Sequence, residues 1–134
     1  GATLVVRPDH AEVKSAVLGG TNGYGMGVVL EMTGSSRGVD VAFDCVRKGG
    51  EIVLVGFPKP MTFDFQTSLV RKELRVHGQH GRRMYDTWAD LLALVKAGKI
   101  NPSDYVTSDV PLAEFGRGFE LANREDQIKV LLTP

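Results

Sequence analysis

Two strand-like segments that each end on glycine are where residue type and spacing in this chain point to chemistry. One is Lys48-Gly49-Gly50-Glu51-Ile52-Val53-Leu54-Val55-Gly56-Phe57-Pro58, a tight turn into a buried strand that opens at Gly56. The other is Val28-Val29-Leu30-Glu31-Met32, which stops at Thr33-Gly34, and a helix-length stretch separates the two. An open α/β sheet presents ligands at the carboxyl ends of its strands, so two glycine-ended strands predict a crevice. Other residues carry chemistry by type alone. His80, in a Gln79-His80-Gly81 turn, invites a catalytic reading because histidine as a type can exchange a proton in the physiological range. His10 and His77 read as surface and strand residues. Arg82 and Arg83 can grip a phosphate or a carboxylate with a bidentate fork, or simply stand on the surface. Cys45 reads as a buried, inert thiol whose one adjacent positive partner is Arg47. Gly23-Tyr24-Gly25-Met26-Gly27 imitates a phosphate-binding loop, but its glycines follow a helix and open a strand. A dinucleotide fingerprint does the reverse, so this segment reads as a connection.

The elements that position these residues belong to one domain-sized chain of 134 residues, 43% hydrophobic and 24% charged. Sixteen basic and sixteen acidic side chains cancel. That balance argues against nucleic acid or an anionic membrane surface as partner, since both need clustered positive charge. A single cysteine excludes an internal disulfide framework and a cysteine-based zinc site. No apolar run approaches the roughly 20 residues of a membrane span, and the N-terminus lacks a signal peptide's basic start. A cytoplasmic, reducing compartment is the expectation.

Residues 2–6 read as a strand from the very start, with no initiator methionine, which predicts a piece cut from a longer protein. Asp9 as N-cap, with Glu12 three residues on, starts a helix over 9–18 that Gly19-Gly20 closes. Residues 28–32 and 51–55 are read as parallel strands. Their connection must be a crossover, which assigns 36–47 to a helix although Val39, Val41, Phe43 and Cys45 also alternate like a strand. Strands follow at 61–65 and 72–78. From Asp86 a clear helix carries Trp88, Leu91, Leu92 and Val95 on one face and stops at Lys96-Ala97-Gly98-Lys99. A second helix spans 112–123, with Leu112, Phe115, Phe119 and Ala122 inward. Residues 128–132 form a last strand, buried on both faces apart from Lys129. Residues 102–104 and 109–111 read as loops.

These residues carry a resemblance. Leu30-Glu31-Met32-Thr33-Gly34, the Gly49 to Pro58 run, Gly78-Gln79-His80-Gly81-Arg82-Arg83-Met84-Tyr85-Asp86-Thr87-Trp88 and Ile128-Lys129-Val130-Leu131 resemble the C-terminal part of zinc-containing medium-chain alcohol dehydrogenases. Within that superfamily they are most similar to the L-threonine 3-dehydrogenase family, above all in the third motif. The similarity covers nearly the whole chain. It implies an α/β fold: a partial Rossmann-type parallel sheet with flanking helices over 1–84, belonging to an NAD-binding domain. A helical and strand segment over 85–134 would return to the catalytic domain.

The resemblance also implies what lies elsewhere. The glycine-rich phosphate loop, the ribose-binding acid and the cysteine, histidine and glutamate zinc ligands would all precede Gly1. What remains resembles the nicotinamide side of a cofactor site: Val55, Gly56 and Phe57 at one strand end, Gln79 and His80 at the next, Thr33 and Gly34 beside them. Lys129 stands where the family often places a cation that reaches the cofactor pyrophosphate, or it snorkels from an edge strand. Gly34 and Gly56 either allow close cofactor approach or are turn residues. For His80, the resemblance puts a cofactor contact ahead of a proton shuttle or a solvated loop residue. No catalytic residue and no metal ligand is assigned within the chain.

The implied activity is hydride transfer from the 3-hydroxyl of L-threonine, a small-molecule substrate, to NAD, with zinc in the full-length protein and an inactive isolated fragment. Two alternatives stay open. One is another zinc-type polyol, sugar or alcohol dehydrogenase; the other is a non-enzymatic α/β interaction domain. The faces of Trp88, Leu91, Leu92, Phe115 and Phe119 would be partly unprotected in the fragment, which predicts self-association. The resemblance implies a homo-oligomer, dimer or tetramer, paired across a two-fold axis through 61–65 or 72–78. The 4–6 strand, deprived of its usual neighbours, is expected to be mobile or paired with another chain.

Overall fold

The computed structural model describes residues 2–6, 10–81 and 83–134, without the side chain of His10. The proposed N-cap Asp9 and one of the two arginines, Arg82, therefore lie outside the described residues. The chain divides into two compact units, 1–81 and 82–134.

The first unit is a parallel sheet with helices. Helix α1 (His10–Gly20) leads to β1 (Met26–Glu31), α2 (Ser36–Cys45), β2 (Val46–Leu54) and β3 (Arg75–Gly78), with sheet order β1-β2-β3. Both pairings are parallel, and Val29 is opposite Ile52, which is opposite Val76. Parallel neighbours require a crossover, and α2 supplies the first. Its N-cap Ser35 accepts a hydrogen bond from the Gly38 N–H at 2.9 Å, and Val39, Ala42, Phe43 and Cys45 are buried at helical spacing. These side chains pack with Val46 and Ile52 to form the core. Ile52, on the central strand, is fully enclosed. Removing such a side chain from water contributes about 1.5–3 kcal/mol. The helix expected over 36–47 is thus present over 36–45, as topology requires, while Val46 and Arg47 already belong to β2.

Several expectations are corrected here. Residues 2–6 form no strand, and Leu4 and Val5 are exposed. A strand needs a hydrogen-bonded neighbour, and the described residues of this chain provide none for it. Helix α1 does not stop before Gly19-Gly20 but runs through them. It ends where Thr21 Oγ1 donates to Val17 O at 2.6 Å and accepts from Gly25 N at 2.9 Å. Residues 61–65 also form no strand. Both edges of β2 are already taken, and this stretch is part of the crossover to β3. Phe63 packs on the core instead, against Phe43 at 4.4 Å between ring centroids, and the exposed Phe65 stacks on Phe63 at 5.1 Å. A π-helical turn (Gln66–Val70) follows, and Leu69 and Leu74 close over the same core.

The second unit contains α3 (Asp86–Lys96), β4 (Val106–Pro111), α4 (Phe115–Ala122) and β5 (Lys129–Thr133). Strands β4 and β5 pair in parallel, with α4 as their crossover. The expected loops are wrong on both counts: 102–105 is a 3-10 turn capped by Asn101, and 109–111 belongs to β4. The polar residues of β4 are used across the pair. Thr107 Oγ1 donates to Lys129 O at 3.2 Å, and Thr133 Oγ1 donates to Asp109 Oδ1 at 2.9 Å. The second helix begins at Phe115, since 112–114 is a 3-10 turn. Leu112, Phe115, Phe119 and Ala122 are exposed rather than inward, and β5 is exposed or half-buried rather than enclosed on both faces. A two-stranded sheet with one covering helix has too little surface to bury them. Trp88, Leu91 and Leu92 on α3 are exposed likewise.

Candidate functional site

The ladder sets the three carboxyl ends of the first unit level. Glu31, Leu54 and Gly78 lie opposite one another across β1, β2 and β3, so the residues that follow each strand emerge on one edge. Val55 N–H and Gly56 N–H both donate to Glu31 O, at 2.8 and 3.1 Å, and Gln79 N–H donates to Leu54 O at 2.9 Å. These bonds continue the sheet one step beyond its strands. They bring Thr33, Gly34, Val55, Gly56, Phe57, Gln79 and His80 to one edge. Lys129 belongs to the second unit, exposed at the start of β5 and opposite Val106.

The two glycines are required by each other. Gly34 has φ of +66°, where a side chain is strained, and a Cβ added there would lie 2.6 Å from Phe57 N. A Cβ on Gly56 would land on the backbone of Gly34 and Thr33. The turn after β1 and the turn after β2 therefore touch main chain to main chain. Beyond this contact stands Phe57, 72% exposed, with its ring edge-to-face against His80 at 5.4 Å between centroids. An exposed aromatic face flanked by main-chain groups suits a planar ring.

The Thr33 side chain is occupied internally. Its hydroxyl donates to Glu31 Oε1 at 2.6 Å and accepts from Ser35 N at 3.1 Å. Glu31 was not among the residues singled out from the sequence. It is the buried charged residue of the unit, 3% exposed, and its carboxylate also accepts from Thr33 N at 2.8 Å and from Gly34 N at 3.0 Å. Burial pushes its pKa up, but the hydrogen bonds from Thr33 and Gly34 outweigh that and hold it below the ordinary 4.5. An acid at a core-facing strand position, two residues before Thr33-Gly34, is the signal that would have exposed it.

The other candidates separate cleanly. Cys45 is buried at the end of α2, and burial, reinforced by Asp44, raises its pKa above 9.0, so it stays a neutral thiol. His77 sits on β3 with Nε2 3.7 Å from Glu51 Oε2, beside the Arg75 to Glu51 pair at 3.0 Å. The Arg83 carbonyl accepts from Thr87 Oγ1 at 2.9 Å near the start of α3. A groove of about 480 Å³ runs between β1 and the two helices, but Val13, Val17, Val28, Leu30 and Val41 make its walls aliphatic. Among the described residues no three or more His, Cys, Asp or Glu side chains could hold a metal ion, so those residues do not fit zinc. No helix among the described residues is long and apolar enough to cross a membrane.

Comparison with known proteins agrees with this geometry. Residues 1–97 match the family model described as zinc-binding dehydrogenase. The L-threonine 3-dehydrogenase of Caldanaerobacter subterraneus subsp. tengcongensis is 34% identical over all of this chain, and that of Thermococcus kodakarensis is 32% identical. The chain spans 39% of the length of each of these relatives. Among solved structures, an alcohol dehydrogenase from Thermus sp. ATN1 superposes with a TM-score of 0.78 at 31% identity, covering 90% of this chain and 35% of that one. The 2R,3R-butanediol dehydrogenase of Bacillus subtilis gives 0.77 at 28% identity, covering 91% and 35%. With the parallel sheet, its helices and the level strand ends in place, the chain belongs to the zinc-binding dehydrogenase family.

Proposed function

We propose that this chain is the C-terminal part of an NAD-dependent L-threonine 3-dehydrogenase, and that it supplies the nicotinamide-side wall of the cofactor site. The observation that carries the reading is the junction of Gly34 with Gly56 and Phe57, which leaves an exposed aromatic edge and main-chain groups at the ends of parallel strands. When bound, NAD accepts a hydride from the substrate carbon. This chain's own contribution is to seat and orient the ring: Phe57 and His80 offer apolar contact, and the main chain at Val55, Gly56 and Gln79 offers hydrogen bonds to a carboxamide. Lys129 is assigned to the pyrophosphate on resemblance alone.

The threonine assignment rests on the relatives of that name, with identities of 30–34% over this chain. The zinc ligands and the phosphate loop are assigned to the part of the relatives' length that this chain does not span, so the chain alone binds weakly and does not turn over. We also assign it a homo-oligomeric parent and a cytoplasmic setting. The test is a chimera that joins the N-terminal part of a threonine dehydrogenase to this chain, assayed with L-threonine, 2,3-butanediol, sorbitol and simple alcohols, using NAD and NADP in parallel. L-threonine with NAD should be the preferred pair. Preference for a polyol or a simple alcohol would replace the substrate, and a folded chimera inert with every pair would overturn the dehydrogenase reading.

A further inference from the structure

We propose that Glu31 is a positioning residue for the nicotinamide wall, its carboxylate holding the Thr33-Gly34 turn in register against Gly56 and Phe57. The inference rests on the cofactor reading above and extends it to a residue that touches no ligand.

One residue grips both sides of the crevice. The Glu31 main-chain carbonyl accepts from Val55 and Gly56, which fixes the end of β2. Its carboxylate accepts from Thr33 N, Thr33 Oγ1 and Gly34 N, which fixes the turn after β1. The network extends into α2. The Ser35 hydroxyl lies 2.9 Å from Thr33 Oγ1, and since the Thr33 proton points to Glu31, Ser35 donates and in turn accepts from Gly38 N. Gly38 makes room for the cluster, because a Cβ there would lie 2.6 Å from Glu31 Oε1 and closer still to Thr33 Oγ1.

The choice of residue argues for a role beyond packing. Position 31 lies on the same strand face as Val29, which packs against the core, so a leucine would satisfy the pattern without taking a charge out of water. An apolar side chain would leave the N–H groups of Thr33 and Gly34 without the acceptor that sets the turn. A carboxylate accepts at both oxygens and donates nothing, which matches a turn that offers only donors. The N-terminal end of α2 beside it favours the negative charge.

The test uses the chain with oxidised nicotinamide mononucleotide, which survives acid, and amide shifts read by nitrogen-15 NMR. Glu31→Gln keeps the shape but turns a donor toward the Gly34 N–H. Affinity should fall about tenfold, while the Ile52 and Val53 amides keep their positions. Across an acid titration, wild-type affinity should fall in step with the Thr33 and Gly34 amides as Glu31 protonates. The variant carries only the titration it shares with the wild type, that of the ligand and of the other ionisable groups at the edge, so an excess fall in the wild type is a difference that a merely structural role would not produce. Binding by Glu31→Gln within twofold of wild type, with shifts still centred on Gly34 and Gly56, overturns the inference and spares the cofactor reading. Absence of ligand shifts in the wild type at millimolar concentration removes the cofactor reading itself. If the variant does not fold, the wild-type series decides: affinity unchanged while the Gly34 amide titrates overturns the proposal.

Discussion

Replacing Gly56 by alanine probes the junction on which the site depends. The added Cβ would meet the backbone of Gly34 and lie 2.8 Å from the Thr33 carbonyl carbon, and no rotamer change can relieve contact with main chain. Either the Thr33-Gly34 turn moves or the end of β2 peels back, giving up the bonds from Val55 N and Gly56 N to Glu31 O. Overpacking of this kind costs about 1–3 kcal/mol. Each lost hydrogen bond adds about 1 kcal/mol, and the reduced freedom of the unfolded chain returns about 0.4–1 kcal/mol. The net expectation is a loss of about 2–4 kcal/mol, a large share of the stability of a small domain. Gly19→Ala is the control, because Gly19 lies within α1 and a Cβ there meets nothing within 4 Å. It should stabilise by about 0.5–1 kcal/mol. Urea unfolding followed by circular dichroism, with equal slopes, reads both. A Gly56→Ala midpoint at or above wild type would refute the close-approach argument.

Three further outcomes follow from the same structure. Because the Glu31 pKa is held below 4.5, its contribution to stability is complete above that value and lost as pH falls through the lower folded pKa. The urea midpoint should therefore drop in acid, and Glu31→Gln should flatten that drop; parallel curves would contradict the assigned network. Cys45, buried and with a raised pKa, should react with a thiol reagent only as fast as the unit opens, so Cys45→Ser should abolish the slow labelling and a fast native reaction would refute the burial. The exposed apolar side chains Trp88, Leu92, Phe115 and Phe119 should drive concentration-dependent association in sedimentation runs. Phe119→Ser together with Leu92→Ser should weaken it, and a wild-type monomer at high concentration would count against it.

What was legible in the sequence was the part written in apolar runs and glycines. The β1, α2 and β2 stretch followed from two hydrophobic segments with a crossover between them, and the crevice at Gly34 and Gly56 followed from where those segments stop, whereas Gln79 and His80 joined it through the family resemblance. Polar elements were hidden. β4 carries Thr107, Ser108 and Asp109, of which the first two suggested no element and the third opened an expected loop at 109–111, because their usefulness lies in bonds to β5 and its approach, a partner distant in sequence. Met61 to Phe65 failed the other way: its alternation is real, but Phe63 packs on the core and the stretch serves as part of the connection from β2 to β3. Glu31 was missed because an acid in a strand reads as solvent-facing. Its burial is offset by three donors that Thr33 and Gly34 supply, beyond the end of the strand.

Under the proposed function, this chain holds the nicotinamide half of a dinucleotide site. Saturation-transfer NMR of NAD in the presence of the chain tests it directly, since the nicotinamide and adenine protons report separately. Transfer to the nicotinamide protons well above that to the adenine protons, reduced by Gly34→Val, is the predicted result. Transfer that favours adenine, or none at millimolar NAD, would contradict it.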